Sequence, residues 1–148
     1  MLAELDYTTA APDAYNAVVG LEVYLATQSG LDKRLIHLLK LRASQINGCA
    51  YCVDLHTKEA RSHGLNEQWI ALVSVWREAQ VFDEQERALL AWTEALTNLN
   101  TKGAPKTELA VMREHFTDEG ITKLSVAIGT INLWNRLAVG FGQTHTVD

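Results

Sequence analysis

Cysteine and proline are scarce in this chain, two of each in 148 residues, and no Gly/Ser-rich or low-complexity stretch occurs. So few cysteines exclude a disulfide scaffold, and the missing linker composition points to a single domain over residues 1–148. Positive charge is also short. Thirteen Lys and Arg against 18 Asp and Glu leave a net charge of −5, with no basic cluster, so nucleic acid is not an expected partner. No apolar run approaches the roughly 18 residues of a membrane-spanning helix, so no membrane span is expected. Met1 to Ala10 carries two acids and no apolar run, unlike a secretory leader, which makes the cytoplasm the expected compartment.

What is present is helical period almost throughout, and no alternating strand pattern of useful length. A first helix is expected from about Asp13 to Thr27, after Pro12, stopping at Ser29-Gly30. Asp32 can cap a second, with Leu35, Leu38, Leu39 and Ile46 on one stripe. A third follows the Asn47-Gly48 break and runs to about His63, where Gly64 suits a left-handed cap. Asn66 can open a fourth, through Trp69, Leu72, Val73 and Trp76. Asp83 and Glu86 resemble a capping box opening a fifth, through Leu89, Trp92 and Leu96. Pro105 suits the first turn of a sixth, ending near His115, and Thr117 or Asp118 opens the last. The expectation is an all-α domain of about seven helices.

The two cysteines stand together as Cys49-Ala50-Tyr51-Cys52, with His56 after them. The Asn-Gly break places them in the first turn of a helix, where free N–H groups and the macrodipole favour a thiolate. His56 lies four residues beyond Cys52 and seven beyond Cys49, so the three share one helical face. Covalent c-type haem is excluded, because Val53 stands where that attachment needs a histidine. Beside plain packing of the two as small buried apolar groups, which is the minority reading for a pair at this spacing, two chemistries remain. In a redox pair, one thiolate attacks an oxidant and its neighbour closes a disulfide. In a zinc site, Cys49, Cys52 and His56 would be ligands with His37 or His63 as a fourth, although structural zinc usually draws two pairs from separate hairpins. The spacing favours redox.

The tight break also makes the second and third helices an antiparallel hairpin. His37 lies 11 residues before Gly48 and His56 eight after it. At about 1.5 Å per residue these are roughly 16 and 12 Å from the turn, so the two rings are expected side by side. A histidine one turn from Cys52 suits proton transfer to and from a reacting thiol. His63, His115 and His145 have no such neighbours and read as surface residues.

The string from Leu41 to Cys52, with Asp54, His56 and Thr57, closely resembles the core of the alkylhydroperoxidase AhpD-like proteins of the carboxymuconolactone decarboxylase superfamily. The resemblance continues through Trp76-Arg77-Glu78, Glu86-Arg87-Ala88, Ala91 to Thr97 and Trp134-Asn135-Arg136. The decarboxylase branch lacks the CxxC pair, so the cysteines point to the peroxidase-like branch. The resemblance implies an all-α fold and a dithiol–disulfide cycle that reduces a hydroperoxide, with an external dithiol as reductant. It also implies a proton relay of His56 and a glutamate in the preceding helix. Here the sequence departs from the pattern, because the position 12 residues before Cys49 is His37. A carboxylate there would favour the charged form of His56; a neutral imidazole cannot.

The expected catalytic set is therefore Cys49, Cys52, His56 and His37, with no cofactor and no metal. The residues alone leave open which thiol attacks. Cys49 gains more from the helix end, and Cys52 has His56 one turn away; the resemblance favours Cys52 as attacker and Cys49 as resolver. The alternative is a non-catalytic metal-binding or redox-sensing domain using Cys49, Cys52, His56 and possibly His37. Trp76, Trp92 and Trp134 read as core residues, and Arg77, Glu78, Glu86 and Arg136 as partners of one another across helices. Several helices carry apolar residues on two sides, as Val126 and Leu133 do on the last. With the resemblance, this leads to an expected homo-oligomer, a trimer or more specifically a hexamer.

Overall fold

The computed structural model describes residues 3–148. Its described residues contain nine α-helices and no strand: α1 (Tyr7–Ala10), α2 (Pro12–Thr27), α3 (Lys33–Ile46), α4 (Ala50–Ser62), α5 (Glu67–Leu72), α6 (Glu84–Thr97), α7 (Leu99–Lys102), α8 (Lys106–His115) and α9 (Asp118–Gly140). The all-α class is as expected, but the count of seven is too low. The two extra helices, α1 and α7, are single turns of four residues, too short to show a period in the sequence. The fourth expected helix also ends early, because α5 tightens into a 3-10 turn at Val73–Val75 before Trp76.

Side-chain caps set most of the starts. Asp32, Asn66 and Thr117 accept backbone N–H bonds two or three residues on, and Asp83 with Glu86 forms the full capping box that opens α6. Gly64, at φ +78°, ends α4 in the left-handed region, with the Leu65 N–H reaching back to the Ala60 carbonyl at 3.1 Å.

Helix α3 is the axle. It is buried almost all round from Leu35 to Leu41 and packs against α4, α6 and α9. Leu38, Leu39 and Leu41 meet Leu89 and Leu90 of α6 and Leu124, Ile128 and Ile131 of α9 in one core. Two buried carboxylates brace this core from α6. Glu94 accepts from Trp76 Nε1 (2.8 Å), Arg42 Nε (2.9 Å) and Arg77 Nη2 (2.7 Å). Burial alone would push its carboxyl up, but the hydrogen bonds of Arg77 and Trp76 and the charge of Arg42 outweigh this and hold it below the ordinary range. Glu86 accepts from Trp69 Nε1 (2.9 Å) and pairs with Arg34 Nη1 (3.1 Å). Arg77 and Glu86 are thus paired, but with Glu94 and Arg34. Arg136 donates to the Asn132 carbonyl of its own helix (3.0 Å). The expected pairing among Arg77, Glu86 and Arg136 is replaced by these bonds.

The α3–α4 turn is tied to α9. Gly48 takes φ +66°, which a residue with a side chain adopts only at a cost, and the Cys49 N–H returns to the Ser44 carbonyl at 3.0 Å. The Asn47 carboxamide donates to both Asn132 Oδ1 and Asn135 Oδ1 at 2.9 Å, and Asn135 Nδ2 donates to Ser44 Oγ at 3.1 Å. Asn135 and Ser44 are fully buried. Asn47→Ala leaves that carboxamide oxygen without its Asn47 donor, so it should lower stability by about 1–3 kcal/mol. Urea unfolding of both proteins at pH 7 measures it; a difference near zero would mean the tie carries no weight.

Candidate active site

Cys49 and Cys52 are joined in a disulfide, with their Cα atoms 5.2 Å apart. Cys49 is the N-cap of α4, and its Sγ accepts the Cys52 N–H at 3.2 Å. A sulfur at a helix start with a backbone donor aimed at it is a site where negative charge is stabilised. Both sulfurs are buried, but only Cys52 lines the cavity above them. An incoming molecule therefore meets Cys52 first.

That cavity has a volume of about 370 Å³, at the small end for a ligand pocket. Its floor is Cys52 and His56 from one face of α4, Glu59 of the same helix stands at its rim, and its walls include Tyr7, Tyr15, Tyr51 and Trp134. The N-terminal segment closes it. The Glu4 N–H binds the Phe141 carbonyl (2.9 Å), and the Tyr7 hydroxyl donates to Gln143 Oε1 (2.8 Å). The Tyr15 ring stands edge-on to Trp134 at 5.8 Å. At the rim the Lys40 ammonium binds Glu22 at 2.7 Å, and Trp134 Nε1 donates to the other Glu22 oxygen at 3.1 Å. The result is an aromatic chamber with a disulfide sulfur and an imidazole at its floor and one Lys–Glu ion pair at its rim.

The histidines differ from expectation. His56 is buried, and its Nδ1 lies 2.9 Å from Glu59 Oε2. The hydrogen bond from His56 holds the Glu59 carboxyl below its ordinary range against an opposing effect of burial. Glu59 is thus ionised at neutral pH and can only accept, so His56 Nδ1 carries the proton. His37 does not hydrogen-bond His56. Its Nε2 lies 2.7 Å from Nδ1 of His63, the ring expected to be a lone surface group. The reason is register: His37 and His63 meet where the far end of α4 passes α3, on the other side of Glu59 from His56, and both line a second cavity. Burial first, and the His63 ring second, push the His37 pKa down to about 4, so it is neutral at pH 7. Its Nδ1 is buried without a hydrogen-bond partner.

Sequence reasoning missed Glu59, Lys40, Glu22 and the aromatic wall. Glu59 was within reach, because a residue three positions after His56 faces it across one helical turn. Lys40 also left a trace, as the one permanent cation in a stretch from Leu35 to Leu41 that is apolar apart from it and His37. Tyr7, Tyr15, Glu22 and Trp134 come from distant segments, and no local pattern links them. For the metal alternative the donors do not converge. The two sulfurs are bonded to each other, His37 to His63 and His56 to Glu59, and no group of three or more His, Cys, Asp or Glu among the described residues is arranged to hold a metal.

The depressed His37 pKa makes a stability prediction. Between its ordinary value of 6.5 and about 4 the unfolded chain binds a proton that the folded chain does not. Stability should therefore fall as pH drops from about 6.5 towards 5, by on the order of 1 kcal/mol from this residue. His37→Gln, which cannot titrate, should flatten that part of the profile. Urea midpoints at pH 7.0, 6.0 and 5.0 test it, and parallel profiles for the two proteins would refute it.

Comparison with known proteins gives this site a family. Residues 12–95 match the model of the carboxymuconolactone decarboxylase family. A solved structure of a protein of unknown function from Agrobacterium tumefaciens, assigned provisionally to antioxidant defence as AhpD, is 55% identical and superposes with a TM-score of 0.95 over 99% of both chains. The uncharacterized protein YdfG of Bacillus subtilis is 34% identical over 97% of both chains. The alkyl hydroperoxide reductase AhpD of Maricaulis maris is 42% identical over 45 residues, a segment that covers 30% of this chain and 26% of the reductase. The chain belongs to the carboxymuconolactone decarboxylase family and is an AhpD-like member of it.

Proposed function

We propose that the protein is a thiol-dependent hydroperoxide reductase that cycles Cys49 and Cys52 between dithiol and disulfide. The observation that carries this is the asymmetry of the pair: Cys52 alone faces a small chamber beside the His56–Glu59 couple, and Cys49 lies directly behind it. In the reduced protein Cys52 gives its proton to His56, and the thiolate attacks the terminal oxygen of the hydroperoxide. The O–O bond breaks, the leaving alkoxide takes the proton from His56, and Cys52 becomes a sulfenic acid. Cys49 then attacks the Cys52 sulfur, water leaves, and the disulfide forms. An external dithiol reduces it through a mixed disulfide with Cys52, the sulfur that lines the chamber. Substrate and reductant thus use one mouth in turn. The tyrosine and tryptophan walls suit an organic hydroperoxide better than hydrogen peroxide, because they offer apolar area to an alkyl or aryl group.

His37 has a reduced part in this scheme. It is neutral and bonded to His63, and the carboxylate that the preceding helix lacks is supplied to His56 by Glu59. Among the described residues no helix is long and apolar enough to cross a membrane, and the reaction as written needs only soluble reactants.

Hydroperoxide consumption with a small dithiol as reductant tests the reading. Cys52→Ser should fall to the background rate. Cys49→Ser should consume one equivalent and stop, leaving a sulfenic acid on Cys52 that a dimedone probe labels. Turnover unchanged in both variants would overturn it, and no turnover in the parent protein would leave a non-catalytic redox-sensing domain as the reading.

The reductase is also proposed to work as a homo-oligomer, a trimer or hexamer. Val126, Leu133 and Val139 stand exposed on α9, and a groove of about 440 Å³ lined by Ala14, Val18, Leu133 and Leu137 runs between α2 and α9. Light scattering at micromolar concentration should give a multiple of 16.4 kDa that resists moderate salt, and a mass at the monomer value would refute assembly.

A further inference from the structure

One group in the chamber has no part in a CxxC motif and is not reached by the expected relay. Glu59 sits three residues after His56 on α4, with its carboxylate on the rim of the chamber and Oε2 at 2.9 Å from His56 Nδ1. We propose that Glu59 is the positioning residue for the thiol chemistry: its carboxylate accepts the hydrogen bond from the Nδ1–H of His56, leaves Nε2 as the ring's proton acceptor, and stabilises the imidazolium that forms when Cys52 is deprotonated.

Four observations support the assignment. First, the His56 ring is buried, so a hydrogen bond at one nitrogen decides which nitrogen is free. Second, Cys52, His56 and Glu59 all line the same chamber, on successive turns of one helix, which is the order nucleophile, base, orienting acid. Third, the neighbouring charges are already engaged. Lys40, the nearest cation on α3, is held by Glu22 of α2 at 2.7 Å. Fourth, the residue on the other side of Glu59 is neutral. His37, bonded to His63, adds no positive charge to draw the carboxylate away and no negative charge to raise it. A glutamate at position 37 would instead set two carboxylates against each other across the hairpin.

The geometry resembles a catalytic triad built on a single helix, with spacings of four and three residues. Such a line needs no contribution from a second element to orient the base. It also explains why Glu59 is only partly buried. The carboxylate must stay ionised, and a rim position with Lys40 nearby lets it do so at less desolvation cost than the buried Glu94 meets.

The inference rests on the reductase reading for the identity of the oxidant, but not for the proton positions, and the test separates the two. The full-length protein, reduced and carrying Cys49→Ser so that only Cys52 can react, is labelled with nitrogen-15 at histidine. Ring nitrogen shifts report the His56 tautomer, and the rate of Cys52 alkylation by iodoacetamide at pH 7 reports thiolate. Glu59→Gln and Glu59→Ala are compared with the parent after circular dichroism has verified the fold. By analogy with the hydrogen-bond partners of metal-bound histidines, whose loss costs roughly 10- to 100-fold, alkylation should slow by about 10-fold in both variants. The Nδ1–H tautomer should give way to a mixture in Glu59→Ala. With Cys49 restored, kcat for hydroperoxide should fall by a similar factor while KM stays within about twofold, because Glu59 holds His56 rather than substrate. Glu59→Asp should recover part of the rate. Tautomer and alkylation rate unchanged in both folded variants would overturn the proposal. If the parent turned over no hydroperoxide yet alkylation and tautomer responded as stated, the reductase reading would fail and the role of Glu59 would stand.

Discussion

Everything at this site depends on how the chain turns between α3 and α4. Two residues, Asn47 and Gly48, reverse the direction and deliver Cys49 to the N-cap of α4. The turn is not held by its own backbone alone. Asn47 reaches α9 through Asn132 and Asn135, and Asn135 returns to Ser44, whose carbonyl binds the Cys49 N–H. A buried amide network of this kind must be fully satisfied or it costs more than it contributes. Here it fixes the start of α4 against the longest helix in the fold. From that anchor the rest follows by helical period: Cys52 one turn in, His56 a turn further, Glu59 a turn beyond.

The same anchor accounts for the division of labour between the cysteines. The cap position puts Cys49 under the chamber floor, where its sulfur accepts a backbone N–H, and turns Cys52 to the chamber. A thiol that is buried and stabilised as an acceptor suits the resolving step, which needs access to one neighbouring sulfur and to nothing else. A thiol facing a cavity suits the attacking step. The two cysteine residues differ in exposure by almost nothing, 1% and 3%, so overall burial does not separate them. Direction does.

Much of this was legible in the chain. The caps at Asp32, Asn66 and Asp83, the Asn-Gly break and the period of α3 and α9 all act locally, and local chemistry is what a sequence displays. The cysteine helix and the hairpin with α3 were legible for the same reason. Their register was not. An estimate from rise per residue put His37 beside His56, but the two helices cross so that His37 meets His63 instead. A shift of two helical turns along α4 separates those outcomes, and it is set by how α3 packs on α4, α6 and α9, which no local pattern displays. The aromatic walls were illegible altogether, because Tyr7, Tyr15 and Trp134 converge from both ends of the chain.

With His37 neutral, the charge beside His56 comes from His56's own helix. In the structure α3 presents a neutral histidine and a lysine to α4, and α4 presents Glu59. The negative charge beside His56 thus sits on the helix that carries the thiols. Placed there, it acts on His56 over one turn of rigid helix rather than across an interface that packing must hold in register. Small shifts between α3 and α4 would disturb a cross-helix contact, but they leave a contact within α4 intact. The site is therefore less dependent on the fit of α3 against α4 than the sequence pattern alone implies, and more dependent on the integrity of the single helix that begins at Cys49.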